Sequence, residues 1–330
     1  MQILSVPNFE QMAEALRGAD GRYTLAGREE GNWTAGTGLA GRITIQVGDN
    51  GGAHYYEGAA QKNTTVILLP LDDPGLVRWN GEELDRTSLA AIHSGGSVTC
   101  HSKAAQRGSL IILPHDMLRA DRVDSTDVAV LESLHGVLAV DPRHIGSLRQ
   151  LVRRFAATDY SLSPSAGRAA EEEFMAHIFA AVQSRTVSSD SGRGRPWVSR
   201  DQVLRKVRDL VASAGDRVLH VEDLCRVANV SERTLRTVFN ETFALGPLRY
   251  LRHRRLHLVR AALRAAHPGR DTVASIAAEF GFWEFGRFAK EYRALFGELP
   301  SQTLNRMRHN AKHDGILLDR ERTLTQRGLH

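Results

Sequence analysis

Arg233, Arg236, Thr237 and Asn240 are linked by spacings of three and four residues, so on a helix they share one stripe. Their types suit one chemistry. An arginine can donate twice to O6 and N7 of guanine, an asparagine pairs with adenine, and a threonine methyl can meet the methyl of thymine. Leu235, Val238, Phe239 and Thr242 occupy the opposite stripe of the same predicted helix, Glu232–Thr242. Ser231 stands where a hydroxyl accepts an otherwise orphaned backbone N–H at a helix start. The shorter helix Val221–Ala228 precedes it, with Asn229-Val230 as the turn, because asparagine tolerates left-handed backbone.

The pattern occurs twice. Val221, Leu224, Leu235, Phe239, Phe243 and Pro247 recur as Val273, Ile276, Phe288, Tyr292, Phe296 and Pro300, offset by 52 residues for the first two and 53 for the rest. One residue is therefore inserted between the two helices of the second copy. That copy reads as a capped helix Val273–Phe280 starting at Asp271 or Thr272, a turn at Gly281, and a helix Trp283–Leu295. Its outward residues are Gly286, Arg287, Lys290 and Arg293, with Glu284 and Phe285 at the start. Lys290 and Arg293 suit phosphate contacts, which position a duplex without specifying its sequence. Gly286 suits close backbone approach.

Between the copies, 247–266 reads as one helix with the stripe Leu248, Leu251, Leu256, Val259 and Leu263, stopped by Pro268-Gly269. About 20 residues at 1.5 Å rise span about 30 Å, and one turn of B-DNA is about 34 Å. The spacing thus predicts two reading helices one turn apart on one duplex face, with Arg252, Arg254 and Arg255 available to phosphates or to solvent.

The bulk numbers agree. At 330 residues, 42% hydrophobic and 25% charged, the chain has material for two domains. The net charge of +5 is uneven: 1–197 holds 19 Lys/Arg against 23 Asp/Glu, and 198–330 holds 24 against 15. A basic second half suits a polyanion. Cys100 and Cys225 are far apart and form no CxxC, which fits a reducing cytoplasm. No apolar run reaches the roughly 18 residues of a membrane span, and MQILSVPNFEQMAEALRG lacks the layout of an export signal.

Residues 1–135 carry short apolar runs, Ile43–Val47, Val66–Leu69, Leu89–Ile92 and Leu110–Leu113, punctuated by Gly, Asn, Asp and Pro. This predicts strands in a sandwich or barrel, with a hairpin turn at Asn80-Gly81 and a leading helix over 9–16. Helical periodicity follows at 142–157 and 166–184. The stripe Ile145, Leu148, Leu151, Val152 and Phe155 either packs on the β domain or forms a dimer seam; the second is the expectation, since two copies strengthen DNA binding. The run SRTVSSDSGRGRP within 184–197 is a linker, the helical module starts near Trp197 with a first helix over 203–212, and 308–330 is a charged tail.

The stretch from about 198 to 307 resembles the C-terminal domain of the AraC/XylS family of bacterial transcription regulators. LCRVANVSERTLRTVF, GPLRYLRHRRL and SIAAEFGFWEFGRFAKEYRALFGELPS carry the likeness. Cys225 stands where alanine is common, and Gly286 where a polar residue is usual. The resemblance implies base contacts from Arg233, Arg236 and Thr237 in the first unit and from Phe285, Gly286 and Lys290 in the second; Ser231, Thr234 and Asn240 complete the first face, and Glu284, Arg287 and Arg293 the second. The N-terminal half is looser in likeness. There the family implies a cupin-like β-barrel, dimerisation helices, a small-molecule effector and, in most members, activation.

Effector candidates by residue type are Arg22, Arg28, Arg42 and Arg78 with Tyr55, Tyr56 and Trp79. His54, His93, His101, His115 and Glu57 lack the His-x-His plus Glu spacing of a cupin metal site, and His253 and His257 have no third ligand in view. No phosphate loop, nucleophile elbow or catalytic carboxylate pair stands out. Neither a metal nor a cofactor is expected.

The chain is accordingly expected to be α+β with two domains: an N-terminal cupin-like β-barrel with flanking helices and a C-terminal all-α double helix-turn-helix domain. The divisions are 1–135 sensor, 136–183 dimerisation helices, 184–197 linker, 198–307 DNA-binding domain and 308–330 tail. The expected protein is a cytoplasmic, non-enzymatic, sequence-specific regulator, more an activator than a repressor. Its partners are double-stranded DNA, a small effector, a second copy and, for an activator, RNA polymerase, with no membrane. The alternatives are a cupin-type metal enzyme with a helical appendage and a ligand-independent architectural DNA-binding protein.

Overall fold

Side chains that alternate with period two along the first 140 residues sort them into strands with two usable faces, and both faces are covered. The computed structural model describes residues 1–72, 75, 77–120, 125–158, 162–185, 200–267 and 270–306. Most of the expected linker, Trp197, the Pro268-Gly269 stop and the tail 308–330 lie outside the described residues.

In chain order the elements are β1 (Ile3–Val6), α1 (Phe9–Ala15), β2 (Ala19–Glu29), β3 (Trp33–Ala40), β4 (Ile43–Asn50), β5 (Gly52–Ala60), β6 (Thr64–Pro70), β7 (Val77–Trp79), β8 (Glu82–Leu84), β9 (Ser88–Ile92), β10 (Ser97–Ser102) and β11 (Gln106–Pro114). Then come α2 (His115–Ala120), α3 (Ser125–Ser133), β12 (Gly136–Ala139), α4 (Pro142–Ala157) and α5 (Pro164–Gln183). The C-terminal part holds α6 (Arg200–Ser213), α7 (Val221–Ala228), α8 (Glu232–Phe243), α9 (Pro247–Ala265), α10 (Val273–Glu279) and α11 (Phe285–Phe296).

The strands make two antiparallel sheets, ordered β1-β3-β4-β11-β6-β9-β12 and β2-β5-β10-β7-β8. Among the described residues no ladder joins them, so the expected barrel is seen as two facing sheets. The hairpin between β7 and β8 turns on Asn80 and Gly81, with φ of 50° and 86°, as the Asn-Gly pair predicts.

The sheets stack in layers. Val66, Ile92 and Ile112 of the larger sheet face Tyr23, Leu25, Tyr56 and Val98 of the smaller one. The opposite face of the larger sheet, with Ile45, Val47, Ile67, Leu69 and Ile111, lies under Leu148, Val152, Phe174 and Ile178 of α4 and α5. The dimer-seam expectation is corrected here. Ile145, Leu148, Leu151 and Val152 are buried within the chain, and Phe155 packs against the same cluster edge-on to Phe174. Ile145, Leu148, Leu151 and Val152 already cover the sheet and are not available to a partner, while Phe155 is half-buried.

The helical units show the repeat. Leu224, Leu235, Phe239 and Phe243 are buried in one, and Ile276, Phe288, Tyr292 and Phe296 in the other. Asn229 (φ 56°) and Gly281 (φ 77°) supply the left-handed turns. Ser231 Oγ accepts from the Thr234 amide at 3.2 Å, and Thr272 caps α10 in a reciprocal capping box with Ser275. In the stripe assigned to α9, Leu248 departs: it is 68% exposed, and Tyr250 takes the inward place.

Because the α4 stripe is core, Leu148→Ala is expected to cost about 2–5 kcal/mol of stability without changing the association state of the folded protein. Denaturant unfolding paired with light scattering checks this. A variant that kept its stability but became monomeric would restore the seam.

Candidate nucleic-acid interface and inter-sheet cavity

On α8 the outward residues Arg233, Arg236, Thr237 and Asn240 are all exposed. Arg236 is held by Glu232 one turn earlier, Nη2 to Oε1 2.7 Å. Thr237 Oγ1 donates to the Arg233 carbonyl at 3.1 Å, which leaves its methyl as the contact group. Ser231 and Thr234 are engaged with each other in the cap, Oγ to Oγ1 2.9 Å. Arg233 makes no side-chain hydrogen bond or ion pair among the described residues.

On α11 Glu284, Phe285, Gly286, Arg287, Lys290 and Arg293 are exposed as well, and Trp283 just before it is 75% exposed. Arg287 is committed to acids: its Nε lies 3.0 Å from Glu291, and its guanidinium also faces Glu284 at 3.6 Å. Arg252 reaches the same Glu291 at 2.5 Å. Lys290 and Arg293 make no such contact among the described residues. A Cβ at Gly286 would meet nothing within 4 Å.

The three connector arginines have other work. Arg254 is buried and donates to the carbonyls of Arg217 at 2.8 Å and Gly215 at 2.5 Å. Arg255 lies over the Phe282 ring at 5.5 Å, as Arg252 does at 5.4 Å. The phosphate expectation is corrected for Arg254, whose guanidinium faces inward.

The smaller sheet is the seat of the helical part. Tyr55 of β5 enters the core of the first unit, with ring centroids 5.5 Å from Phe243 and 6.4 Å from Tyr250. Tyr250 Oη donates to the buried Glu57 carboxylate at 2.8 Å. Arg78 of β7 donates to the carbonyls of Asn240 (3.2 Å) and Glu241 (2.7 Å) at the end of α8, where the helix dipole favours a cation. Arg208 of α6 reaches Ser97 Oγ at 2.7 Å, and Arg200 pairs with Glu241 at 2.7 Å. Phe9 of α1 does for the second unit what Tyr55 does for the first, with Arg260 5.3 Å above its ring and His257 edge-on at 5.2 Å.

On its other face the same sheet floors a cavity of about 80 Å³. Register places Tyr23, Tyr56, Cys100 and Trp79 side by side across four strands, and Met12 and Leu16 of the α1 region close one side. Gln46 ties that region down, donating to the Ala15 carbonyl at 2.7 Å and accepting from the Arg17 amide at 3.0 Å.

Of the seven effector candidates, the structure brings Tyr56 and Trp79 to this cavity. It does not bring the arginines there. Arg22 and Tyr55 line a second cleft beside His253 and His257, between the two parts of the chain. Arg78 binds α8, Arg42 pairs with Glu171 of α5 at 2.6 Å, and Arg28 lies near Gly297. Tyr23 and Cys100 were missed, and His54 was weighed only as a metal ligand; the cross-strand register identifies their place at the cavity. His101 stacks on Tyr55 at 4.8 Å, His115 bonds Thr65 at 3.0 Å, and His93 faces His135. Among the described residues no group of three or more His, Cys, Asp or Glu side chains could hold a metal, and no helix is long and apolar enough to cross a membrane.

A match to the family described as "Helix-turn-helix domain" spans residues 224–306. The XylDLEGF operon transcriptional activator 2 of Pseudomonas putida is 33% identical over 133 residues, which is 40% of this chain and 84% of that protein. The XylDLEGF operon transcriptional activator 1 of the same organism is 40% identical over 90 residues, 27% of each chain. Among solved structures, the AraC-like transcriptional activator CuxR aligns with a TM-score of 0.42 at 15% identity, covering 79% of this chain and 95% of that one. Two capped helix pairs with exposed polar stripes define a DNA-binding regulator, and the chain belongs to the AraC/XylS family of transcriptional regulators.

Burial holds three histidines at the boundary between the two parts below their ordinary 6.5: His101 and His253 at about 4 and His257 at about 3. Above pH 6.5 they are neutral whether the chain is folded or not. As pH falls below 6.5, the unfolded chain takes up protons that the folded one refuses, so stability drops. The melting temperature is therefore expected to stay level from about pH 7 to 8 and to fall progressively from about 6.5 toward 5, with a shallower fall in the His101→Gln/His253→Gln variant. Calorimetry across that range checks it, and equal slopes in both proteins would remove these histidines from the account.

Proposed function

We propose that this chain reads a specific duplex sequence with α8 and α11 and adjusts gene expression, as an activator, in response to a small molecule held in its N-terminal half. The observation that carries the reading is the pair of exposed polar stripes, each on a helix whose opposite stripe is buried and whose start is fixed by a left-handed turn.

The two stripes have different tasks. Arg233 has its donors available, Arg236 is presented by Glu232, and Thr237 and Asn240 complete a face able to distinguish base pairs. On α11, Arg287 is engaged by acids and Gly286 offers no side chain, so Lys290 and Arg293 bind mainly phosphate. The first unit specifies; the second anchors and orients. The 19 residues of α9 give a connector of about 28 Å at 1.5 Å per residue, suited to successive major grooves.

Regulation follows from the seat of the helical part. β5, β7 and β10 wall the cavity on one side and grip α8 and α9 on the other. An effector that binds better when this sheet is slightly rearranged shifts the population toward a different freedom of the reading helices. A second copy supplies a second pair of units, through a surface other than the buried α4 stripe. RNA polymerase is the further partner of an activator, and the cytoplasm is the compartment in which both it and the duplex are met.

Arg233→Ala is expected to cost about 1–3 kcal/mol at one base pair and to relax preference there. Arg293→Ala should weaken all duplexes alike and lower the slope of log K against log salt by about 1. Titrations against an operator library at several salt concentrations separate the two. A uniform loss from Arg233→Ala, or a base-selective loss from Arg293→Ala, would reverse the division of labour.

A further inference from the structure

The leading end of α11 carries two aromatic rings that the fold does not use. Trp283 is 75% exposed and Phe285 is 44% exposed. Among the described residues neither pairs with another ring. The inward aromatic at this turn is Phe282, which is 3% exposed and packs on Phe288 with ring centroids 5.0 Å apart.

The internal repeat shows where the two rings came in. In the first unit the Val230 amide donates to the Cys225 carbonyl at 3.1 Å, and in the second the Phe282 amide donates to the Ala277 carbonyl at 3.0 Å. Phe282 is therefore the counterpart of Val230, at an offset of 52 residues. The helix caps that follow, Ser231 and Glu284, are offset by 53. Trp283 is the one inserted residue, without a counterpart in the first unit. Phe285 stands where the first unit has Glu232, the acid that holds Arg236. Neither ring is needed to build a helix pair of this kind, and leaving both in water is unfavourable.

Their surroundings indicate what covers them. Further along the same helix Lys290 and Arg293 are exposed without ion-pair partners among the described residues, and Gly286 leaves open space. Unpaired cations beside the rings favour a polyanion over an apolar protein surface. A reading helix meets base edges with its N-terminal residues. In the major groove those edges offer donors, acceptors and one apolar group, the C5 methyl of thymine. A phenylalanine ring can neither donate nor accept, so the methyl is the feature it is able to recognise there.

We propose that the second unit reads thymine methyl groups with Trp283 and Phe285. Its recognition is apolar, where that of α8 works through hydrogen bonds. This rests on the placement of α11 in a major groove and goes beyond the division of labour above, since it gives the anchoring helix a reading function of its own.

The experiment selects duplexes from a random library with the full chain. Each thymine of the enriched sequence is then replaced in turn by uracil, which keeps the hydrogen-bonding edge and lacks the methyl. One or two positions are expected to lose about fourfold in affinity each, the worth of one buried methyl group. In the Trp283→Ala/Phe285→Ala variant the thymine-to-uracil ratio at those positions should fall to about one, with the melting transition unchanged because both rings are exposed. Arg233→Ala should keep the ratio, which separates these positions from those read by α8. The proposal is overturned if uracil is tolerated at every position, or if the double variant keeps the full thymine preference. It is equally overturned if the double variant binds duplex as the parent does and loses only activation by RNA polymerase, since the rings would then belong to a protein contact. A library that yields no enriched sequence sinks the sequence-specific reading itself, whereas an enriched sequence indifferent to uracil sinks this inference alone.

Discussion

Much of this molecule hangs on Tyr55. Its neighbours in β5, His54 and Tyr56, point into the inter-sheet cavity, while Tyr55 and Glu57 point outward. Tyr55 enters the aromatic core of the first helix-turn-helix unit, beside Phe243 and Tyr250, and Glu57 accepts from Tyr250. The alternation of a strand permits one short segment to serve both compartments. β7 repeats the device: Trp79 faces the cavity and Arg78 takes the carbonyls at the end of α8. These strands are therefore packed on both sides, and a closely packed interior transmits strain across such a layer.

The helical half was legible because its signals are local. A period of 3.6, a serine at a cap and an asparagine at a left-handed turn act over a few residues, and they act twice. Ser231, Asn229 and the buried series Leu235, Phe239 and Phe243 stand where the sequence puts them. Leu248 was misplaced because its distance from Leu251 fits a helical stripe, while the buried stripe of the first two turns runs through Pro247, Tyr250, Leu251 and Arg254.

The harder readings were those that need a partner. The stripe on α4 announces a covered face but not its cover; the sheet beneath it, assembled from strands 30 to 100 residues earlier, supplies it. Arg254 looks in sequence like the half-buried Arg252 and Arg255 beside it, and only the fold brings the carbonyls of Gly215 and Arg217 to it. The arginines offered for an effector were chosen by charge, yet the cavity is lined by what register delivers. Tyr23, Tyr56, Cys100 and Trp79 come from four separate strands, and their adjacency is a non-local fact.

Gly286 has a consequence of another kind. It lies in the first turn of α11, exposed, with open space where a side chain would begin and without the positive φ that would demand a glycine. Nothing in the packing opposes a serine, an asparagine or an arginine there. A side chain introduced there extends the outward face of α11 without disturbing the packing beneath it, so the chemistry of that face is free to vary independently of the fold.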